Sequence, residues 1–438
     1  MQLRTVTIFA VTFIIGVNLV IPPSAQADCY SIYTNAMAGC STAENERDNA
    51  ALNIYIARYQ NAQNTCNSTV NQDAIAQALA QQTCLNTLYT FTGNPQVFND
   101  LGSCGSAVVA ADQAADDAYG QAVTACGTNN QCVCQAVTAR NFSKAYAADV
   151  GMKCGNDAQN VYNNQCVANS IAVQHQNDGL ASAVFINTYG DAYATYEETV
   201  ALSDHYTAPL CSYPAVTEYA NCSLGNSCAD GCAKTEDNDY LAAEIAFLNS
   251  VGPAYAQYIH DGFICSFTQS HDDYVSDVQH GYAIDIANAT YNYNQMVAWN
   301  LYLYTTSIDA DQHTRDVNLC VCNSTSDSQY NSCVATANAT QTANDNNALA
   351  AYNQKANVPP TTPTGDNWNT LNQAITTADN VLQAAHATHL LAEQTCVQNT
   401  QNTYNAICNS AGTAFNNALN AVDQKYQNCL KGCNGGGA

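Results

Sequence analysis

Basic side chains are scarce in this sequence. Lys and Arg together number 11 in 438 residues, against 36 Asp and Glu, and charged residues of all kinds make up 11% of the chain. Cations this sparse do not assemble a phosphate-tracking surface, which argues against direct binding to nucleic acid or docking on anionic lipid. The net charge of −25 reflects missing Lys and Arg more than surplus acid. Solubility must therefore rest on amides and hydroxyls, and Asn, Gln, Ser and Thr fill most of the non-apolar positions.

Several signatures of chemistry are also missing. The chain has no HExxH, no Gly-x-Ser-x-Gly, no P-loop, no dinucleotide-binding glycine motif and no EF-hand loop. No two cysteines stand at Cys-x-x-Cys spacing, which argues against a thioredoxin-like centre, a zinc ribbon or covalent haem attachment. The adjacent acids Glu197 and Glu198 point apart on a helix, the wrong arrangement for a facing catalytic pair. No catalytic residue and no cofactor can be named, and the balance favours a protein that is not an enzyme. Six Asn-x-Ser/Thr sequons are present, near the number chance gives in a chain so rich in Asn.

Proline is rare, 9 in all, and absent from Gln96 to Ala208, from Ala254 to Val358 and from Thr364 onward. These stretches carry apolar residues at helical spacing. Ala378, Val381, Ala385, His389, Ala392 and Cys396 fall on one face, as do Val275, Val278, Tyr282, Ile286, Ala289 and Tyr293. Ser41 and Glu44 fit a capping box at a helix start. Gly93-Asn94-Pro95 and Gly252-Pro253 read as turns. The expected fold is mainly α, an elongated disulfide-stapled helical bundle with a Cys/Pro-rich loop insertion.

The order along the chain follows. Residues 1–27 read as a signal peptide: Arg4, an apolar run from Val6 to Ile21, two prolines, then Ala25 and Ala27 before Asp28. Roughly 410 residues remain, enough for two or three domains. A helical region is expected over 28–204, a loop over 205–239, a central helical region over 240–357, a Pro/Thr linker over 358–367, and a helical hairpin with a glycine tail over 368–438. No later apolar run is long enough to hold the mature chain in a membrane. The setting is secreted or periplasmic, with an extracellular protein or a glycan as the expected kind of partner and an oligomeric state that the residues leave open.

Against these absences stand 22 cysteines, all after Ala27, and 27 tyrosines. In an exported chain an even count fits complete pairing into as many as eleven bridges. Five pairs are spaced 11 or 12 apart: Cys29/Cys40, Cys154/Cys166, Cys211/Cys222, Cys322/Cys333 and Cys396/Cys408. In the last four a tyrosine follows the first cysteine by eight (Tyr162, Tyr219, Tyr330, Tyr404), the mark of a degenerate internal repeat. Cysteines 11 apart on a helix are ~16 Å apart along its axis, beyond the ~7 Å that a disulfide spans, so each must reach another helix. The expected result is pairs of rungs between antiparallel helices, with the tyrosine packed between them. In Cys132-Val-Cys134 and Cys320-Val-Cys322 each cysteine would staple a different neighbour.

Two clusters offer metal-ligand chemistry. Asp273, Asp277 and His280 share one side of a helix and present oxygen and imidazole donors suited to a divalent ion. His386, His389 and Glu393 share another, with His389 in the apolar stripe as a hydrogen-bonded core histidine. A shared metal centre would require the two clusters to meet in space. The reading favoured by the residues is an extracellular structural or interaction protein. The alternatives are a metal- or small-ligand-binding helical protein and a hydrolase without a recognisable motif.

Overall fold

The computed structural model describes residues 23–97, 99–356 and 365–435. Most of the expected leader, most of the Pro/Thr linker and the last glycines lie outside them. The described chain is almost wholly helical: α1 (Pro23–Thr92), α2 (Gly102–Cys126), α3 (Asn130–Asn160), α4 (Ala168–Leu202), α5 (Ala208–Ser223), α6 (Cys228–Asn323), α7 (Asp327–Lys355) and α8 (Asp366–Gly435). Two π-helical turns, Val161–Val167 and Ser203–Thr207, join α3 to α4 and α4 to α5 without a break. No strand occurs among the described residues, and ten disulfides staple the helices, so the protein is mainly α and disulfide-braced.

Local chemistry sets the breaks. α1 ends at Gly93 (φ +80°) and α2 starts at Gly102 (φ +58°). A Cβ on Gly93 would collide with the Asp100 carbonyl and one on Gly102 with the backbone of Gly93 and Phe91, and the left-handed φ favours glycine at both. Asp100 holds the excursion shut by accepting from the amides of Asn94 (2.7 Å) and Gly102 (3.2 Å). α3 is capped by Asn129, whose side chain accepts from the amide of Cys132. α6 opens with a reciprocal cap in which Ser227 Oγ accepts from the Asp230 amide and the Asp230 carboxylate accepts from the Ser227 amide. At α7 Ser326 Oγ accepts from the Gln329 amide, while Gln329 Oε1 accepts from the amide of Thr325.

Several expectations fail, each for a tertiary reason. Ser41 and Glu44 lie inside α1 and start nothing. The segment 205–239 is not a knotted loop: a π-turn, α5 and the start of α6 occupy it, with only Leu224–Ser227 between the helices. Its cysteines reach outward instead of knotting among themselves, Cys211 to Cys40, Cys222 to Cys29, Cys228 to Cys433 and Cys232 to Cys429. Gly252-Pro253 lies within α6 and not in a turn. A proline forfeits one backbone hydrogen bond, which flanking packing can outweigh. Gly252 is where the Tyr206 ring comes within 3 Å of a hypothetical Cβ. Residues 368–435 form no hairpin, since α8 runs unbroken from Asp366.

The chain divides into two compact units, Met1–Asn61 with Thr188–Thr268 and Ala392–Ala438, and Ala62–Asn187 with Gln269–Leu391. In the first, α1 runs antiparallel to α4 and α5, the α5–α6 turn carries the chain back, and α6 runs antiparallel to α8. Partner numbers fall as residue numbers rise, in Cys29–Cys222 then Cys40–Cys211, and in Cys228–Cys433, Cys232–Cys429 then Cys265–Cys396. In the second, α1 meets the π-turn after α3 (Cys84–Cys166), α2 pairs with α3 (Cys104–Cys154, Cys126–Cys132), α3 with α6 (Cys134–Cys322) and α6 with α7 (Cys320–Cys333).

The core is unusual in substance. Among the described residues the buried apolar side chains are alanines and cysteines, with Leu88, Leu371 and Val422 the only larger ones. Small side chains let helix axes approach, because the contact residues set that distance. They also bury little apolar area, so the covalent staples must supply stability that a leucine-rich core would otherwise provide. A few buried polar groups are satisfied between helices in the second unit. Asn160 donates to the Tyr293 carbonyl (3.0 Å), Asn300 to Asp157 (3.1 Å), and Ser307 to Asp149 (2.6 Å).

Candidate functional site

The two ligand-bearing clusters do meet, between α6 and α8 of the second unit. His389 Nδ1 lies 2.9 Å from Asp273 Oδ1, His386 Nε2 lies 3.2 Å from Asp277 Oδ1, and His280 Nε2 lies 2.7 Å from Asp379 Oδ1. A fourth pair, His175 with Asp285 (3.2 Å), ties α4 to α6. Asp273, Asp277 and His280 thus do not converge on a single point. Steps of three or four residues climb ~5–6 Å along a helix, and the antiparallel partner presents a different residue at each level. Glu393 lies one turn beyond His389 on the same half-buried seam of α8. Among the described residues, no three Asp, Glu or His donor atoms here come within 4.8 Å of one another. What the arrangement does is join helices: Asp273, Asp379 and Asp285 are hydrogen-bonded to their histidines, whereas Asp277 meets His386 at ion-pair distance without a hydrogen bond.

Of the ten cysteines singled out by spacing, nine lie in disulfides; Cys408 has a free thiol, as does Cys66. Cys29/Cys40 and Cys211/Cys222 are each other's partners, two rungs eleven residues apart on antiparallel helices. Tyr219 packs between those rungs against Tyr33, their rings 5.6 Å apart. Tyr33, and not the Met37 that stands in register, supplies the α1 aromatic. Cys154 and Cys166 bridge α2 and α1 respectively. Cys322 and Cys333 lie on opposite sides of the α6–α7 turn, and Cys333 closes onto Cys320. Tyr404 stacks on Tyr258 (5.2 Å) beside Cys408, and burial followed by its hydrogen bond to that thiol pushes its hydroxyl pKa up.

Spacing at 11 or 12 missed a second grammar. Cys228/Cys232 and Cys429/Cys433 are each four apart, one helical turn, and face each other at the start of α6 and the end of α8. The spacing was available to inspection, but the expected loop concealed it. Cys228, Cys232 and Cys433 bring their sulfurs within 4.8 Å of one another, although all three are oxidised.

Two further features stand apart. In the first unit, Tyr55, Tyr59, Tyr189, Tyr193, Phe263 and Phe267 form a contiguous aromatic cluster with ring centroids 5.1–6.5 Å apart. The hydroxyl pKa of Tyr193 is pushed up to about 12 by its hydrogen bond to the Glu197 carboxylate and by burial. In the second unit, α2 and α3 enclose a half-open apolar cleft of about 550 Å3, lined by Val108, Ala111, Ala115, Tyr146, Ala147 and Val150 among others. Among the described residues no helix is long and apolar enough to cross a membrane. No known protein family, curated protein or solved structure matches this chain.

Proposed function

We propose that the protein is exported and serves outside the cytoplasm as a rigid, covalently braced helical scaffold with a structural or interaction role. The observation that carries this reading is the placement of the staples. Nine of the ten disulfides tie two different helices, and the tenth, Cys84–Cys166, ties α1 to the π-turn after α3. Such bonds persist in oxidising compartments, and they constrain helices whose Ala-rich contacts bury little area. Helix faces dominated by Asn, Gln and Thr suit a protein or glycan surface better than a charged partner. From Ala74 to Asn99 the chain carries no charge at all.

The test is the intact mass of the exported protein, measured before and after reduction and alkylation. The scaffold reading expects an N-terminus at Asp28, the mass deficit of ten disulfides, and two alkylatable thiols at Cys66 and Cys408. Retention inside the cell with mostly reduced cysteines would overturn it. A second reading, a divalent ion held where Asp277 and His386 face each other, draws support from His386 Nε2, which is buried and makes no hydrogen bond despite its closeness to Asp277. Metal analysis of protein purified without chelators decides that reading.

A further inference from the structure

We propose that the four cysteines at the junction of α6 and α8 form a thiol–disulfide exchange site, independent of the scaffold role. Cys228–Cys433 and Cys232–Cys429 are parallel bridges one turn apart, and they touch: Cys232 Sγ lies 3.5 Å from Cys433 Sγ. A thiolate released at Cys433 is therefore already beside the sulfur it would attack.

Exposure sets the direction. Cys228 and Cys429 are exposed, Cys433 is half-buried, and Cys232 is buried at 2%. An external small-molecule dithiol finds an exposed sulfur at Cys228, as it does at Cys429, from which the mirrored steps give the same products. Its thiolate attacks Cys228 Sγ, the Cys228–Cys433 bond breaks, and the electron pair leaves on Cys433. The Cys433 thiolate attacks Cys232 Sγ, forming Cys232–Cys433 and expelling the Cys429 thiolate, which takes a proton from water. The second thiol of the dithiol then displaces Cys228 from the mixed disulfide. The dithiol ends oxidised, and the protein ends with two more thiols and one fewer disulfide.

The product is favoured by solvation. It keeps the buried sulfur bridged and leaves free thiols at the two exposed positions, where a thiolate costs least. Cys228 is also the first residue of α6, where backbone amides stabilise a thiolate, and the nearest carboxylate in sequence, Asp230, is occupied by Ser227. Lys234 and Lys431 stand within one turn of the cysteines in sequence, a local concentration of cations in a chain that has few. Bridging Cys232 to Cys433 requires the last turn of α8 to shift along α6. Cys433 lies two residues from the end of that helix, at Gly435, where such a shift meets least resistance.

The test is limited reduction of the full oxidised protein with one equivalent of dithiothreitol, followed by acid quench, alkylation and disulfide mapping by mass spectrometry. Exchange predicts label at Cys228 and Cys429, a cross-linked peptide joining Cys232 to Cys433, and severalfold more label at Cys429 than at Cys433. Label at Cys228 and Cys433 with Cys232–Cys429 intact, or label spread evenly over the ten bridges, overturns the proposal. The C228S/C429S variant gives a second reading on unreduced protein. Cys232 and Cys433 should then bridge, leaving only Cys66 and Cys408 reactive; four reactive thiols in a folded variant would refute it.

Discussion

The ring of Phe267 on α6 lies against Gly190 of α4 so closely that a Cβ on Gly190 would come within 2.5 Å of it. The ring also meets Tyr189 and Tyr193, so it has little room to withdraw. Gly190→Ala should therefore destabilise the protein by about 1–3 kcal/mol, the usual range for overpacking. Gly262, elsewhere on α6, has nothing within 4 Å of a hypothetical Cβ. There the same change should stabilise by roughly 0.5–1 kcal/mol through backbone entropy and helix propensity. Thermal unfolding of the two variants should move in opposite directions, and shifts of the same sign would contradict the packing described.

The paired rungs Cys29–Cys222 and Cys40–Cys211 should behave non-additively. While one rung stands, the other closes a ring of only ~24 residues, worth about 3 kcal/mol in the chain-entropy account. With both gone, the segment is held only by more distant links, and the second removal should cost about 4–5 kcal/mol. Replacing each pair with serine alone and then both together, and measuring denaturation without reductant, should give a combined loss greater than the sum of the single losses.

Glu244 is held above the ordinary carboxylate range by burial, as are Asp237 and, with repulsion from Asp237 and Asp423 added, Glu236. A carboxyl whose pKa is higher in the folded state binds its proton more tightly there. Its contribution is fully present below the unfolded pKa and is lost as pH rises through the folded value. Stability should thus fall from about pH 4 upward through these groups. Glu244→Gln removes one half-buried charge while keeping the shape. It should raise the melting temperature at pH 7 and change it little at pH 4; equal effects at both would argue that the charge is not the cause.

The Asp273–His389 pair, about a quarter exposed, joins α6 to α8 through a 2.9 Å hydrogen bond. A double-mutant cycle with Asp273→Asn and His389→Gln should show coupling of roughly 0.5–1 kcal/mol, given partial solvent screening. Coupling indistinguishable from zero would mean that the contact contributes nothing to holding α6 against α8.

Helix content was legible because it rests on local properties: few prolines, helical periodicity, and cysteine spacings whose climb along a helix forbids self-pairing. The same geometry anticipated rungs between antiparallel helices, which Cys29, Cys40, Cys211 and Cys222 display. Local signals misled where tertiary contacts outweigh them. Ser41 and Glu44 could cap a helix, yet α1 continues through them; Pro253 should end one, yet α6 continues past it. The sequence placed Asp273 and Asp277 on one helix side and His386 and His389 on another, but the register between α6 and α8 decides that they pair singly and do not converge. That register depends on which cysteines bond, and nothing local distinguishes Cys408, left free, from Cys396, which is bridged. The sequence by itself determined the helical character and the need for cross-links. Only the tertiary structure decided the partners, because a disulfide or an ion pair depends on the distance between helices and not on position along either one.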